Sequence, residues 1–496
     1  MTQNLNQLAG RALMVDVPGD ELTAADADFL RQLDTRAICL FRRNVSSAEK
    51  TRKLVADLKA VIGQDALIGI DQEGGAVMRT LFMPAAPSAM ALGAIGSDTL
   101  AYQVGAAIAR GLASLGINWN YAPVLDLNNN PRNPVIGERS FGADPEQAAR
   151  LAGAWMAGHL SEGVATCVKH FPGHGDTHTD SHLALPIVDK SRAAIEQYEL
   201  SPFHALIQQT PGLMSAHIVF PAFDNERPAT LSPAILQTLL RDEWGYQGVT
   251  ITDGMNMKAI RERWGQAQGT VMAVAAGADL SLVLQFSDEM AEAKQALLAA
   301  VAAGTLPAAR LAEADARVTA MARRYPAEVR PYSTEQEAAD RALFAGAWAR
   351  ALTLVGEAQR PPLGSRVRLV LQADAPSDGV SEPGLAASVL IAKLAPLYAL
   401  DVVSYPRRSE LDWAKLPQDG VYTIVASTTR ERYSAAERSS WRPHLHLALW
   451  NPYAAADLPC AALVSYGFAD PALNAVVAWL KGELNATGRL PAPLDA

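Results

Sequence analysis

Four histidines and two aspartates lie close together between positions 169 and 182 of this chain. The histidines recur at every fourth position, a spacing that would put them on one face of a helix. Pro172, Gly173 and Gly175 disfavour a helix there, so the sequence predicts a loop instead. Loops on a rigid scaffold often carry function, and this one concentrates groups that transfer protons or bind metals. The histidines are His170, His174, His178 and His182.

Asp180 and His182 are the part of this loop best suited to acid–base chemistry. A carboxylate two residues from an imidazole can orient the ring, fix its tautomer and raise its proton affinity. The pair could therefore serve as a general acid and base near neutral pH. The alternative is structural, since Asp-x-His and Gly-His sequences also occur as hydrogen-bonded turns.

Eight short apolar runs alternate with helical patterns between residues 12 and 284, which predicts an α/β fold with a (β/α)8 TIM-type barrel. The predicted strands are residues 12–17, 37–41, 67–70, 117–125, 165–170, 213–217, 249–252 and 280–284. In such a barrel the active site lies at the carboxyl ends of the strands, so the polar residues that end the runs or directly follow them are site candidates. These residues are Asp71, Asp126, Lys169 with His170, His217 and Asp253.

Asp253 follows the seventh predicted strand, where an apolar run delivers a carboxylate into a turn. By itself the fragment fits a helix N-cap better than a catalytic group. Together with Asp180 and His182, however, Asp253 could be an ionised nucleophile that faces a proton donor across a bound substrate. Glycosidases that retain the anomeric configuration need this two-sided arrangement, usually built from two carboxylates. Here a histidine would replace one of them.

Composition and charge favour a globular protein and argue against several kinds of partner. The chain has 496 residues, of which 49% are hydrophobic and 19% charged, as expected for a globular protein with two domains. The formal net charge of −9, without a local basic run, argues against nucleic acid or an anionic membrane as a partner. Neither a signal-like start nor a run of about 20 apolar residues is present, which predicts a cytoplasmic protein. Cys39, Cys167 and Cys460 lack metal-type spacing and are interpreted as small buried residues.

A second domain is predicted after the barrel. The predicted division is 1–328 for a catalytic barrel, 329–345 for a linker with prolines and charges, and 346–496 for a smaller C-terminal α/β sandwich domain. Strands are predicted in this domain at residues 366–372, 400–405, 421–427, 445–450 and 461–466.

Four separated segments resemble the signature segments of NagZ-type β-N-acetylglucosaminidases in glycoside hydrolase family 3. They read KHFPGHGDTHTDSHLALP, IDQEGGAVMR, GERSFG and ITDGMNMKAI. The resemblance spans residues 8 to 325 and continues more weakly to the C-terminus, as in the two-domain members of the family. Two positions depart from the usual pattern, Ala76 where an arginine is common and Glu138 where an aspartate is common. They concern contacts with the substrate rather than the class of reaction.

The resemblance implies Asp253 as the nucleophile and His182, oriented by Asp180, as the acid and base. It also implies sugar contacts from five residues, whose types suit hydroxyl recognition because carboxylates accept and cations donate hydrogen bonds. These residues are Asp71, Arg79, Arg139, Lys169 and His170. Two structural alternatives remain open, an ion-pair role for Arg139 and a turn-organising role for Glu73.

The expected function is that of a retaining exo-β-N-acetylglucosaminidase that removes terminal non-reducing GlcNAc from peptidoglycan-derived muropeptides during cell-wall recycling. The expected partner is a small carbohydrate, with no nucleic acid, membrane, metal or cofactor, and the oligomeric state stays open. A β-N-acetylglucosaminide phosphorylase is an alternative, because a neutral histidine base repels an incoming phosphate less than a carboxylate would. A β-glucosidase of the same family is another. A metal-dependent hydrolase and an inactive sugar-binding protein are less favoured.

Overall fold

The computed structural model describes residues 4–177, 185–375, 381 and 383–494, and the first part of the chain forms a barrel of eight parallel strands. Each strand pairs with the next in chain order; a bridge from Ile251 to Leu280 and the pairing of the last strand with the first close the ring. The strands are β1 (Leu13–Val15), β2 (Ala37–Leu40), β3 (Leu67–Ile70), β4 (Trp119–Asn120), β5 (Ala165–Phe171), β6 (Gly212–Ser215), β7 (Val249–Thr252) and β8 (Ser281–Val283). The eight predicted strands and the barrel are confirmed.

Helices surround the barrel, and several of them begin at capping residues that the sequence supplies. Ser47, Ser97 and Asp144 each accept a hydrogen bond from a backbone N–H of the first turn, which fixes where three of the helices start. The helices are α1 (Leu5–Arg11), α2 (Ala24–Leu33), α3 (Ala48–Ile62), α4 (Ala89–Ile95), α5 (Asp98–Ala113), α6 (Pro145–Ser161), α7 (Arg192–Gln197), α8 (Ser201–Leu206), a π-type helix (Ala234–Glu243), α9 (Lys258–Arg261), α10 (Gln266–Ala276), α11 (Asp288–Ala302) and α12 (Ala308–Arg324).

Two apolar layers hold the strand ends in place. The inner layer fills the barrel, where the rings of Trp119 and Tyr121 pack edge to face with centroids 5.2 Å apart. The outer layer lies between strands and helices. Burial of one large apolar side chain contributes about 1.5–3 kcal/mol to the free energy of unfolding. Because many such side chains are buried, the barrel is a rigid support for the loops at its ends.

The C-terminal part of the chain forms a six-stranded sheet with helices α14 (Ala387–Leu394), α15 (Ala435–Ser440) and α16 (Asp470–Lys481). Its strands are β9 (Thr353–Val355), β10 (Arg366–Gln372), β11 (Ala399–Tyr405), β12 (Tyr422–Ser427), β13 (Leu445–Ala448) and β14 (Ala461–Val464). They lie in the order β9-β14-β13-β12-β10-β11, with β9 antiparallel and the others parallel. The five predicted strands are confirmed. The prediction missed β9, whose three residues lack a continuous apolar run.

Helix α13 (Thr334–Ala351) begins within the predicted linker, 329–345, and runs past its end. Trp348 of this helix is 1% exposed and packs in an apolar cluster that includes Met90 of α4. Its indole Nε1 donates to the Ala85 carbonyl at 3.0 Å. The helix therefore packs against both parts of the chain, while the exact division at 328 and 346 stays a prediction.

Two further predictions concern the burial of the cysteines and membrane-spanning helices. Cys39 and Cys167 are buried as expected, whereas Cys460 is half-buried. In the described part of the chain, none of the helices is long and apolar enough to cross a bilayer.

Candidate active site

A cavity of about 170 Å³ lies at the carboxyl ends of the barrel strands. It brings together six of the residues that the sequence predicted for the site: Asp71, Arg79, Arg139, Lys169, His170 and Asp253. The predicted acid–base pair, Asp180 and His182, lies outside the described residues. The cavity occupies the position at which barrels of this type carry their chemistry.

Lys169, near the end of β5, is the central cation of the cavity. Its side chain is 2% exposed, and its Nζ lies 2.7 Å from Asp71 Oδ1 and 2.6 Å from Glu73 Oε1. Burial acts to lower the pKa of the ammonium, but the two carboxylates outweigh it and the pKa is raised. Lys169 is therefore held in its charged form, and it fixes the two carboxylates relative to each other.

Glu73 forms a second, bidentate ion pair with Arg139. The Nε and Nη2 atoms of Arg139 donate to the two Glu73 oxygens at 2.9 and 2.8 Å. Burial acts to raise the pKa of the Glu73 carboxyl, but Arg139 and Lys169 hold it well below its usual range. The ion-pair role of Arg139 is thus confirmed, and Arg139 also lines the cavity. Glu73 orients two of the predicted sugar-binding cations, beyond the turn-organising role that the sequence suggested.

Asp126 is buried behind His170 and holds the described part of the histidine loop at His170 and His174. Its Oδ2 lies 2.6 Å from His170 Nδ1, and its Oδ1 accepts from the backbone N–H groups of His170 and His174 at 3.1 and 2.6 Å. Burial acts to raise the pKa of this carboxyl, but His170 and these hydrogen bonds lower it below its ordinary value. Asp126 therefore acts on the site by orienting the His170 ring.

His174 lines the same cavity. Burial, together with the neighbouring His170, lowers the pKa of His174 to about 4, so its ring is neutral at neutral pH. Its Nδ1 lies 2.9 Å from the Thr177 hydroxyl oxygen. Across the described ranges, no group of three or more His, Cys, Asp or Glu side chains is placed as metal ligands would be.

Asp253 lies in the turn after β7 and not at the start of a helix. Helix α9 begins at Lys258, with Met257 at its N-cap position, so the capping interpretation of Asp253 is wrong. The half-buried carboxylate accepts from the Gly254 N–H at 2.7 Å. His217 Nε2 lies 3.0 Å from the Gly254 carbonyl and so fixes the same turn. The turn presents the Asp253 side chain to the cavity.

The side chain of Asn133 forms hydrogen bonds with the histidine loop between His174 and Thr177. Its Nδ2 donates to the carbonyls of His174 and Thr177 at 2.8 and 3.3 Å. Gly175 is required beside it, because a Cβ at this position would lie 1.7 Å from the Leu127 carbonyl oxygen. Sequence reasoning missed Asn133, since it lies outside the motif segments and its partners are more than 40 positions away.

The cavity offers fixed hydrogen-bond acceptors and fixed cationic donors beside the half-buried carboxylate of Asp253. Such a set recognises a ligand with several hydroxyl groups, because each hydroxyl can both donate and accept. The ion pairs hold the donors in place before a ligand enters, so that little conformational entropy is lost on binding. The arrangement therefore suits a ligand with several hydroxyl groups beside the Asp253 carboxylate.

Comparisons with known proteins identify the family to which the chain belongs. Residues 4–321 match the model of the glycosyl hydrolase family 3 N-terminal domain. The β-hexosaminidase A of Pseudoalteromonas piscicida is 39% identical over an alignment of 296 residues, and the match covers 55% of this chain and 49% of that protein. This chain therefore spans about half the length of that relative.

Two solved structures extend the comparison. A glycoside hydrolase family 3 β-N-acetylglucosaminidase from Paenibacillus sp. str. FPU-7 covers 99% of both chains, with a TM-score of 0.90 and 32% identity. NagZ from Neisseria gonorrhoeae, in complex with N-trifluoroacetyl-D-glucosamine, covers 68% of this chain and 97% of its own, with a TM-score of 0.55 and 31% identity. Because the family model covers well over half of the chain, the chain belongs to glycoside hydrolase family 3.

Proposed function

We propose that this glycoside hydrolase is a retaining exo-β-N-acetylglucosaminidase. The proposal rests chiefly on one observation, that a single cavity holds Asp253 together with the five residues predicted to bind sugar hydroxyls. The β-N-acetylglucosaminidase and the N-acylglucosamine complex among the solved relatives support the acetamido sugar as the substrate. The small volume of the cavity, about 170 Å³, suits one terminal sugar and so favours exo action.

In the first step, an Asp253 oxygen forms a bond to the anomeric carbon while the bond from that carbon to the leaving oxygen breaks. His182, cationic and oriented by Asp180, gives its proton to the leaving oxygen. In the second step, neutral His182 takes a proton from water, whose oxygen attacks the anomeric carbon and releases Asp253. Two inversions give net retention, and an imidazole suits both proton transfers near neutral pH.

The remaining residues of the cavity position the sugar. Asp71 accepts hydrogen bonds from hydroxyls, while Lys169 and Arg139 donate them, and both cations are held by Glu73. His170, held by Asp126, supplies a further polar contact. Correct placement of the ring brings the anomeric carbon within reach of Asp253, which lowers the entropic part of the barrier.

The substrate that we propose is a peptidoglycan-derived muropeptide or its disaccharide, cleaved in the cytoplasm during cell-wall recycling. Support comes from the resemblance of the motif segments to those of NagZ-type enzymes.

The first test compares 4-nitrophenyl β-N-acetylglucosaminide with the matched β-glucoside, and NMR follows the anomer formed first. We expect a strong preference for the acetamido sugar and initial release of the β anomer, with or without phosphate. Faster turnover of the glucoside would favour a β-glucosidase, and an initial α anomer would exclude a retaining hydrolase. Formation of sugar 1-phosphate at high phosphate would establish the phosphorylase alternative instead.

A further inference from the structure

A second cavity lies on the C-terminal sheet, at the edge formed by the carboxyl ends of β10, β11 and β12. Its volume is about 630 Å³, against about 170 Å³ for the candidate active site, here called the sugar cavity. It is lined by Gln372 at the end of β10, by residues 407–414 after β11, and by residues between 431 and 441 after β12. The two cavities share none of these lining residues.

The strand order makes this edge a candidate binding site. Along the chain β10 comes first, β11 lies on one side of it, and β12, β13 and β14 follow on the other side. In such a doubly wound sheet the connections diverge next to the first strand, and ligands bind in the crevice that opens there. The neighbouring part of the edge, after β12 and β13, is occupied by contacts of Arg430 and Trp450 with the barrel. The cavity therefore lies at the part of the edge where the topology favours a ligand.

Two stacked tryptophans form the apolar part of the lining. The rings of Trp413 and Trp441 have centroids 5.1 Å apart, and their planes are 20° from parallel. Trp441 is 2% exposed, and Tyr405 and Tyr433 enclose it edge to face. Trp413 is only half-buried. Because packing fixes its indole while part of the ring stays accessible, Trp413 offers a flat apolar surface that is already in place before a ligand binds.

The charged groups of the lining balance one another. Three arginines face three carboxylates, and Arg408 is already bound to Glu431 at 2.9 Å. The lining therefore has no excess charge that would attract an anion or a cation. The paired groups keep further donors and acceptors, and Gln372 adds a neutral amide, so the lining suits hydroxyl and amide groups. The six charged residues are Arg407, Arg408, Arg432, Asp412, Glu431 and Glu437.

We propose that this cavity, called the tryptophan cavity here, is a non-catalytic binding site for a neutral oligosaccharide. The flat C–H face of a pyranose ring packs on Trp413, while hydroxyl and acetamido groups bond to the balanced polar lining. The volume is more than three times that of the sugar cavity, which leaves room for more than one ring.

The choice of N-acetylglucosamine units as the rings rests on the proposed function, whereas the assignment of a glycan site does not. A glycan held in the tryptophan cavity is tethered to the same molecule that carries the sugar cavity. The effective concentration of its chain ends around the protein is therefore raised.

The test counts binding sites for N,N′,N″-triacetylchitotriose by isothermal titration calorimetry. The Asp253→Asn chain is the reference, because it should leave the trisaccharide intact, and we expect two sites, one in each cavity. Trp413→Ala in this background should weaken the second site roughly tenfold or more, since a tryptophan often carries a large share of a binding free energy. Tyr422→Ala is the matched control. Tyr422 stacks on His444 at the opposite end of β12, so its loss should leave both sites unchanged.

A second variant tests the same cavity without removal of a large packed side chain. Arg407 is exposed and lines the cavity, so Arg407→Gln should keep the melting temperature of the reference chain. It should weaken the second site about threefold through the loss of hydrogen bonds to hydroxyls. A second site that neither substitution weakens, or a single site in the reference chain, would overturn the proposal. Binding of inorganic phosphate instead of the trisaccharide would identify an anion site and would overturn it as well.

Turnover of the aryl N-acetylglucosaminide separates this inference from the proposed function. In the otherwise wild-type chain, Trp413→Ala should leave kcat/KM for this substrate unchanged, because Trp413 does not line the sugar cavity. Loss of the second site would thus leave the proposed function intact. If the wild-type chain failed to turn over the aryl substrate, the proposed function would be refuted, while a trisaccharide site that depends on Trp413 would still support the glycan site.

Discussion

The barrel and the C-terminal sheet each have an edge formed by the carboxyl-terminal ends of their parallel strands. The two edges serve different purposes. The ends of the barrel strands present Asp71, Lys169 and Asp253 to a cavity. The ends of β12 and β13 lead to Arg430 and Trp450, which bind the barrel itself. Parallel strands bring polar groups together at this edge in both cases. Whether those groups bind a ligand or another part of the protein depends on what covers the edge.

Glu138, in the barrel part of the chain, contacts the residues that follow the strands of the C-terminal sheet. It is 1% exposed, and its Oε1 accepts from Arg430 at 2.8 Å and from the Trp450 indole at 3.0 Å. Arg430 also donates to the Val135 carbonyl, which Arg139 Nη1 approaches at 3.4 Å. The second domain thus holds the turn that presents Arg139 to the sugar cavity. Glu138 was noted in the sequence only as a departure from a more common aspartate, and its longer side chain reaches this contact.

The largest effect expected at either edge comes from Asp253→Asn. The amide has the shape of the carboxylate but cannot form the glycosyl-enzyme, so kcat for the aryl N-acetylglucosaminide should fall by roughly a thousandfold or more. Steady-state kinetics and the melting temperature measure activity and folding separately. Asp288→Asn, at an exposed aspartate of α11, is the matched control and should retain activity. Full turnover by the Asp253 variant would refute its role as the nucleophile.

Lys169→Met tests the ion pairs of the barrel edge. Removal of one partner leaves Asp71 and Glu73 close together without their shared cation, which should cost about 3–5 kcal/mol of the free energy of unfolding. Urea denaturation measures this loss. Lys50→Met removes an exposed lysine that pairs with Asp20, and should leave stability almost unchanged because water screens that pair. Equal stabilities of the two variants would mean that the buried network contributes little.

Arg430→Ala tests whether the second edge positions the first. Glu138 loses its cation and the Arg139 turn loses a hydrogen-bond donor, so KM for the aryl N-acetylglucosaminide should rise by roughly tenfold, with a smaller change in kcat. Arg430→Lys should restore part of the affinity, a result that a merely structural defect would not give. Arg366→Ala, at an exposed arginine of the same domain, is the control. An unchanged KM would show that the second domain does not position Arg139.

The last prediction concerns pH, and the effect is expected in both regions. Burial lowers the pKa of His446 to about 4 in the C-terminal sheet, just as it does for His174 in the barrel. Because the unfolded value is about 6.5, the contribution of each ring is complete above pH 6.5 and is lost as the pH falls towards 4. Each ring can change the unfolding free energy by up to about 1.4 kcal/mol per pH unit in that window.

His446→Gln should reduce the slope of unfolding free energy against pH by close to one proton between pH 6.5 and 4. Chemical denaturation at several pH values measures the slope, which does not depend on any constant loss of stability from the substitution itself. An unchanged slope would mean that His446 is protonated in the folded protein at these pH values.

The sequence predicted the elements of the barrel because each strand is a short apolar run between polar turns. Residues at the end of such runs or directly after them, among them Asp71, Lys169 and Asp253, could be placed at one edge by topology alone. Arg139 follows no strand, and only the family resemblance pointed to it. Strand β9 was missed because one antiparallel edge strand of three residues has no distinctive pattern.

Other contacts could not be predicted because they join distant parts of the chain. Arg430 and Glu138 are 292 positions apart, and no local pattern connects them. Asn133 likewise contributes through backbone carbonyls, which carry no signature of their own in the sequence. The predicted acid–base pair, Asp180 and His182, lies outside the described residues, so its role rests on the sequence and the resemblance.

The most direct test of the retaining mechanism is to trap the glycosyl-enzyme. A 5-fluoro N-acetylglucosaminyl fluoride slows hydrolysis of the intermediate, and peptide mass spectrometry then locates the bound sugar. We expect the added mass on the peptide that contains Asp253, and we expect no labelling of the Asp253→Asn variant. A label on another residue, or inactivation of the wild-type protein with the Asp253 peptide unmodified, would contradict the proposed mechanism.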